Sequence, residues 1–285
     1  MPSLSRRDFL KIAGATACTA AAVSTGAAPV LAAEVDPLEQ FGMLYDATMC
    51  VGCNGCTNAC RQWNKTSPEV VSGLYDAPKT LSVHTWTMIQ LYQEGDTYSF
   101  VKRACMHCVD PACVSGCPVH ALQKSVEGPV TYDPARCIGC RYCMYTCPFH
   151  VPRFEWDAVI PVVAKCTLCV DRVKEGKGSA CAERCPTGAL IWGKRGDLIA
   201  EAEGRIKADP ERYVDHVYGK DDVGGTSILY LSSVPFEKLG LDNMGTEPIP
   251  ALSESTGNVF IPSILIGGPL LLLATRAISI REGWS

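Results

Sequence analysis

Between Cys50 and Cys185 the chain carries sixteen cysteines in four groups of four, and their spacing leaves few folds open. The first group, Cys50, Cys53, Cys56 and Cys60, reads C-x2-C-x2-C-x3-C. The third, Cys137, Cys140, Cys143 and Cys147, has the same spacing. The second, Cys105, Cys108, Cys113 and Cys117, has four residues in its middle gap, and the fourth, Cys166, Cys169, Cys181 and Cys185, has eleven. In three groups the last cysteine precedes a proline (Pro118, Pro148, Pro186), whereas in the first it precedes Arg61. With 17 cysteines in 285 residues the chain is too long and too dilute in cysteine for a small disulfide scaffold.

The groups repeat as larger units. Tyr45-Asp46 stands before the first group as Tyr132-Asp133 stands before the third, 87 residues on. The second and fourth groups share a Cys-x-x-Cys-Val-Asp start and a Cys-Pro-x-x-Ala-Leu end. Repetition of whole motifs implies duplicated supersecondary units.

Four thiolates are the complement of one iron–sulfur cluster, and sixteen make four complements. Three cysteines in a tight loop place three sulfurs on one face of a cubane. Gly52, Gly55 and Gly139 suit the close turns this requires, and backbone N–H groups in such loops tune the cluster. The cysteine ahead of proline ligates the other cluster of a pair, so groups exchange their last ligands two by two. Nineteen residues separate the second and third groups, the compact linkage of a two-cluster ferredoxin, whereas 44 separate the first and second. Pairing the second with the third leaves the first with the fourth. The expected ligand sets are Cys50, Cys53, Cys56 with Cys185; Cys60 with Cys166, Cys169, Cys181; Cys105, Cys108, Cys113 with Cys147; and Cys117 with Cys137, Cys140, Cys143.

Other cysteine chemistry fits less well. Eight disulfides would not require four repeated motifs. A third cysteine two residues after a C-x2-C unit, followed by x3-C-P, is not zinc-ribbon spacing. No C-x-x-C is followed by His, which excludes covalent haem. His107, inside Cys105-Met106-His107-Cys108, is a candidate for tuning a cluster. Lys102, Arg103, Arg141 and Lys165 beside the cysteines are candidates for raising cluster potentials.

Cys18 stands apart, in an N-terminal segment that reads as an export signal. Arg6-Arg7-Asp8-Phe9-Leu10-Lys11 precedes an apolar run, and small residues at Leu31-Ala32-Ala33 precede Glu34. That is the pattern of the twin-arginine kind. Cleavage after about residue 33 removes Arg6, Arg7, Lys11 and Asp8, so the net charge of −4 becomes −6, and Cys18 leaves with the signal. Twin-arginine export carries folded proteins, and clusters assemble on the reduced thiolates that the cytoplasm supplies. The acidic balance argues against nucleic acid as a partner.

Around the cysteines the sequence predicts short mixed elements and an α+β class. Leu81 to Gln93 and Thr97 to Arg103 alternate about Glu94-Gly95-Asp96 as a β-hairpin. Strands are expected at Val130–Tyr132, Leu190–Trp192 and Ser227–Leu231. A helix capped by Asp197 would carry Leu198, Ile199, Ala202 and Ile206 on one face. Val259 to Thr275 is uncharged over 17 residues, and with Arg276 snorkelling the apolar run reaches Ile280. As a helix it spans roughly 33 Å, enough for a hydrocarbon core of ~30 Å. Arg276 and Arg281 follow the apolar run and Glu254 precedes it, which puts the C-terminus in the cytoplasm and the bulk outside. The expected organisation is a signal over 1–33, a four-cluster domain over 34–195, a C-terminal extension over 196–257 and a transmembrane helix over 258–281.

These motifs carry a resemblance. Gly42-Met43-Leu44-Tyr45-Asp46, Cys105 to Pro111, Cys140-Arg141-Tyr142-Cys143, Lys165 to Arg172 and Gly224-Gly225-Thr226 make residues 43–232 similar to the iron–sulfur subunits of complex iron–sulfur molybdoenzymes and membrane-bound hydrogenases. Gly73-Leu74-Tyr75-Asp76 and Cys166 to Arg172 lean towards formate dehydrogenase beta subunits. Gly42 to Asp46 and the signal lean towards the hydrogenase partner, since the well-known formate dehydrogenase subunit carries no signal itself. The resemblance implies tandem bacterial-ferredoxin-like two-cluster modules with an inserted hairpin. It implies four 4Fe–4S clusters, because all sixteen positions are cysteine. It also implies a non-catalytic relay on the periplasmic side of the membrane. One partner would be a catalytic oxidoreductase subunit of molybdopterin or nickel–iron type, the other a membrane cytochrome b or quinone-reactive subunit. The alternative is a stand-alone iron–sulfur enzyme or sensor. Against it, the chain shows no phosphate-binding glycine loop and no nucleophile–base pair.

Overall fold

The computed structural model describes residues 36–67, 80–156, 162–250 and 259–281. The expected signal with Cys18, and the Gly73–Asp76 segment, lie outside the described residues. In chain order the elements are β1 (Phe41–Asp46), α1 (Gly55–Asn64), β2 (Met88–Glu94), β3 (Thr97–Arg103), α2 (Ala112–Ser115), β4 (Leu122–Lys124) and β5 (Val130–Tyr132). Then come α3 (Tyr142–Thr146), β6 (Arg153–Phe154), β7 (Val163–Ala164), α4 (Val170–Lys174), α5 (Ala180–Glu183), β8 (Leu190–Lys194), α6 (Arg195–Ala208), β9 (Ile228–Leu231) and α7 (Ile261–Arg281). The mixture of short strands and helices is the expected α+β class.

The strands frame the cysteine groups in a repeated way. β1, which leads into the first group, pairs antiparallel with β8, which leaves the fourth. β5, which leads into the third group, pairs antiparallel with β4, which leaves the second. The helices follow suit: α1 of the first group packs on α5 of the fourth, and α2 of the second on α3 of the third.

β9 adds a third strand, parallel to β1, with Met43 opposite Ile228 and Asp46 opposite Leu231. All four β9 residues are buried, because α6 covers one face of the sheet. Leu198 and Ala202 of α6 pack with Leu44, Leu229 and Leu231, and Ile199 and Ile206 flank them. The other face of the sheet packs Met43, Tyr45, Ile228 and Tyr230 against the hairpin residues Ile89 and Val101. The sheet therefore crosses the boundary expected after residue 195. A parallel partner so distant in sequence leaves no local signature, so the segment that read as an extension supplies a core strand.

Two smaller expectations shift. The hairpin begins at Met88, not Leu81, with Glu94 opposite Thr97 across a two-residue Gly95-Asp96 loop. Upstream, the Ser82 hydroxyl accepts the N–H groups of His84 and Thr85, and the Trp86 indole donates to the Val83 carbonyl. These local bonds compete with the ladder and hold the segment out of it. Asp197 does not cap α6. The cap position is Lys194 and Asp197 sits in the first turn, where its charge still suits the helix dipole. The hairpin is tied to the sheet by two tyrosines: Tyr45 donates to the Phe100 carbonyl at 2.7 Å and Tyr230 to the Lys102 carbonyl at 3.0 Å.

α7 is a 21-residue helix with no buried residue among those described. At ~1.5 Å per residue it is about 32 Å long, and it is long and apolar enough to cross a membrane. Pro269 lies inside it.

Candidate metal centres

Each cysteine loop is shaped by backbone that few residues adopt. Gly52 and Gly139, the matching glycines of the first and third groups, have φ of 67° and 69°. Two residues on, Asn54 and Arg141 are also left-handed and stand just before α1 and α3. The third expected glycine, Gly55, is simply the first residue of α1, and Asn54 takes the special conformation in its place. The Cys-Pro ends repeat as well. His120, His150 and Gly188, each three residues beyond the cysteine, have φ of 49°, 50° and 67°. The first group lacks this turn, because Cys60-Arg61 continues α1.

The folding of these loops brings eight of the cysteines to two cavities, four to each, and buries most of the others. Cys50, Cys53, Cys56 and Cys185 line one cavity with Tyr45, Ile89 and Leu190, of about 350 Å³ including its open mouth. Cys117, Cys137, Cys140 and Cys143 line another with Leu122, Phe154 and Val163, of about 320 Å³. Cys60 is pushed up to about 12 by burial, with Cys181 and Cys169 among the charges that act on it. Cys166 is raised by burial and then by Cys60. Cys108 is raised by burial and then by Cys105, Cys147 and Cys113.

The sets also adjoin in sequence from one to the next. Cys181 acts on Cys56, Cys105 on Cys166, and Cys143 on Cys113. Cys105, Cys147 and Cys166 share one apolar cluster with Ala104 and Val151. At the two extremes of this succession stand the exposed cysteines, Cys53 and Cys140.

The donor set fits iron–sulfur clusters. All sixteen cysteines in these groups are free thiols. Among the described residues no three His, Cys, Asp or Glu side chains converge on a single-ion site. Backbone and amide donors point at sulfur: Ala121 N–H to Cys117 Sγ at 3.2 Å, Leu168 N–H to Cys166 Sγ at 3.4 Å, and Asn64 Nδ2 to Cys60 Sγ at 3.4 Å. Burial resists thiolate formation, so a metal that binds the thiolate supplies the charge compensation that the apolar walls do not.

The flagged polar residues separate in kind. His107 is buried; its Nδ1 accepts the Val130 N–H at 2.9 Å, and its Nε2 finds no partner. Burial and the charges of Lys165 and Lys124 hold the ring neutral, so Nε2 carries the proton. Arg103 spends its donors on Gln90 and on the Leu239 and Gly240 carbonyls. Arg141 stacks over the Trp156 ring at 4.1 Å. Lys165 is buried and bonds the Val130 and Cys166 carbonyls. Lys102 is buried on β3 and bonds Thr87. One cation escaped the sequence: Lys124, at the end of β4, donates to the Cys108 carbonyl at 2.8 Å. Nothing in its local pattern marks it.

A family model described as a 4Fe-4S dicluster domain matches residues 97–195, which hold the second, third and fourth cysteine groups. Fold and site thus define a ferredoxin-type iron–sulfur protein. Relatives refine the class. The chain is 35% identical to the hydrogenase-2 operon protein HybA of Escherichia coli O157:H7, over 98% of this chain and 95% of that protein. A protein of Nitratidesulfovibrio vulgaris is 38% identical, over 98% of this chain and 78% of its own length. The nitrate-inducible formate dehydrogenase iron-sulfur subunit of Escherichia coli K12 is 39% identical, over 67% of this chain and 68% of that subunit. The chain belongs to the family of electron-transfer iron–sulfur subunits of hydrogenase and formate dehydrogenase complexes.

Proposed function

We propose that this chain is a non-catalytic wire of four 4Fe–4S clusters, built as two tandem two-cluster modules. The ligands are Cys50, Cys53, Cys56 and Cys185; Cys60, Cys166, Cys169 and Cys181; Cys105, Cys108, Cys113 and Cys147; and Cys117, Cys137, Cys140 and Cys143. Each cluster would supply one-electron chemistry. The succession of the sets carries this reading: each adjoins the next, the inner ones are mostly buried, and an exposed cysteine stands at each extreme. Electrons would enter at one extreme and leave at the other. The protein's own part is to hold the sulfurs, exclude water through the apolar walls and aim N–H donors at them.

The partners of such a wire are a catalytic oxidoreductase subunit, of molybdopterin or nickel–iron type, and a membrane cytochrome b or quinone-reactive subunit. Relatives named for hydrogenase-2 and formate dehydrogenase support the first. The apolar helix α7 supports attachment at the membrane. Location on the periplasmic side, reached by the twin-arginine route after signal removal near residue 33, follows from Arg6-Arg7 and from the charges flanking α7.

Iron and sulfide analysis of the purified complex tests the wire. About sixteen irons per chain are expected from four 4Fe–4S clusters, and fewer than about twelve would refute it. A soluble monomer that turns over substrate unaided would refute the relay. Replacing Arg6 and Arg7 with lysine should leave the cluster-loaded chain in the cytoplasm, and deleting residues 259–281 should release it from the membrane fraction. Normal export or continued membrane retention in these variants would overturn the corresponding assignment.

A further inference from the structure

Four cations stand beside the cysteines in sequence, and the structure treats one of them differently. Lys102 is 1% exposed. Its ammonium bonds the Thr87 hydroxyl, and no carboxylate among the described residues pairs with it. Arg103 and Lys165 give donors to carbonyls, and Arg141 rests on an aromatic ring. A buried charge without a partner is costly, and proteins keep one where a compensating charge faces it.

The groups that face Lys102 are sulfurs. Its cross-strand neighbour Ile89 lines the cavity of Cys50, Cys53, Cys56 and Cys185, and Cys181, Cys56 and Cys166 are the sulfurs whose charges act most on the ammonium. Lys102 in turn acts on Cys56 and on Cys60. These four cysteines divide between two sets. Cys56 belongs to the cavity of Cys50, Cys53 and Cys185, and Cys60, Cys166 and Cys181 belong to its neighbour. The ammonium therefore serves two adjacent centres.

We propose that Lys102 is a positioning and redox-tuning residue shared by the first two clusters of the wire, its buried ammonium acting as their common counter-charge and raising the reduction potential of both. The proposal rests on the four-cluster reading above. Four thiolates and their cluster carry net negative charge, and each added electron increases it. A fixed positive charge in a poorly polarisable interior stabilises the reduced form most. Because the ammonium is buried, dissolved salt screens it far less than a surface charge. It also offsets repulsion between electrons on neighbouring centres, which favours transfer between them.

The test uses the full chain in its complex, with Lys102→Met and Lys102→Gln, which keep much of the side-chain length and remove the charge. Redox titration followed by electron paramagnetic resonance reads each cluster. Two of the four clusters should show a reduced-to-oxidised ratio at least tenfold lower at fixed potential, a shift of about 59 mV for one electron. The other two should not move, and the shift should persist at high salt. Thr87→Val removes the hydroxyl but leaves the charge, so its potentials should stay near wild type. A merely structural lysine would make Thr87→Val resemble Lys102→Met. Unchanged potentials, equal shifts in all four clusters, or failure of both lysine variants to load clusters would overturn the proposal. A wild-type chain with fewer than about twelve irons would sink the four-cluster reading instead.

Discussion

Exchange of the last cysteine between groups makes a prediction that single substitutions cannot test cleanly. If Cys185 completes the site of Cys50, Cys53 and Cys56, as the cavity they share suggests, then Cys50→Ala and Cys185→Ala damage the same site. Cys50→Ala and Cys60→Ala then damage two. If each group instead holds its own cluster, the outcomes reverse. A damaged site with three thiolates left either keeps a three-iron cluster or empties, whereas a site with two left should empty. Under exchange, Cys50→Ala/Cys185→Ala should lose one cluster and retain about twelve of about sixteen irons. Cys50→Ala/Cys60→Ala should alter two centres and retain between about eight and about fourteen irons, according to whether three-iron clusters survive. The number of altered centres, one against two, is the discriminating quantity, because interacting changes fail to add and independent ones add.

The assay is iron and sulfide content alongside spin quantitation by electron paramagnetic resonance, on complex purified without air. A three-iron centre has its own signal in the oxidised state, so partial damage is visible and not mistaken for retention. The matching pair in the other half is Cys137→Ala with Cys117→Ala, one site under exchange, against Cys137→Ala with Cys147→Ala, two sites. Two altered centres in the Cys50/Cys185 double variant, with one in Cys50/Cys60, would refute the exchanged assignment outright. The paired strands β1 with β8 and β4 with β5 would then frame groups that share walls but not ligands.

Three further outcomes follow. Gly52 has φ of +67°, and an added Cβ would overlap the Phe100 ring, so Gly52→Ala combines about 1–2 kcal/mol of left-handed strain with a clash. It should deplete the first cluster and leave the others; iron content indistinguishable from wild type would contradict this. Asp46 is fully buried and accepts Thr48 N–H, Tyr213 OH and Arg205 Nη1, the last at 3.0 Å. Asp46→Asn keeps an oxygen for the Thr48 turn but breaks the ion pair, whose Arg205 side chain is 21% exposed. The cost should be about 1–3 kcal/mol, less than the ~3–5 for a fully buried pair, and a thermal midpoint of the loaded complex equal to wild type would count against it. Burial raises Cys60 and Cys143 to about 12 and Cys147 and Cys169 to about 11, from 9.0. A raised thiol binds its proton more tightly in the folded state. The cluster-free chain should therefore lose stability as pH climbs from about 9 towards 12, and urea midpoints that stay flat across that window would refute it.

The cysteine spacing was legible because ligation chemistry is local: two or three residues between thiols decide whether a loop can present three sulfurs. The same locality made the Glu94-Gly95-Asp96 turn and the core face of α6 readable, since turn preference and helical period are short-range signals. The strand at Ser227–Leu231 was legible too, but its place in the sheet was not, because that depends on a distant partner. β9 is buried on both faces, so it shows no alternation, and its pairing with β1 joins residues more than 180 positions apart. Lys102 is marked in the sequence by its place beside the cysteines, but its burial is not, because Ser99 and Val101 occupy the opposite face of β3.

The burial of Lys102 has a physical reason specific to this kind of protein. A period-two pattern distinguishes a core face from a wet face only when the core is hydrocarbon. Here the far side of β3 faces cysteine loops: Phe100 closes over Gly52, and the Lys102 ammonium faces Cys56, Cys60, Cys166 and Cys181. The material buried there is anionic when loaded, so a lysine is as much an inward-facing residue as a valine would be elsewhere. By the same logic, polar residues near the cysteines in such a chain should be read for the charge they confront and not only for hydropathy. His107 fits that rule: burial and the charges of Lys165 and Lys124, both distant in sequence, keep its ring neutral.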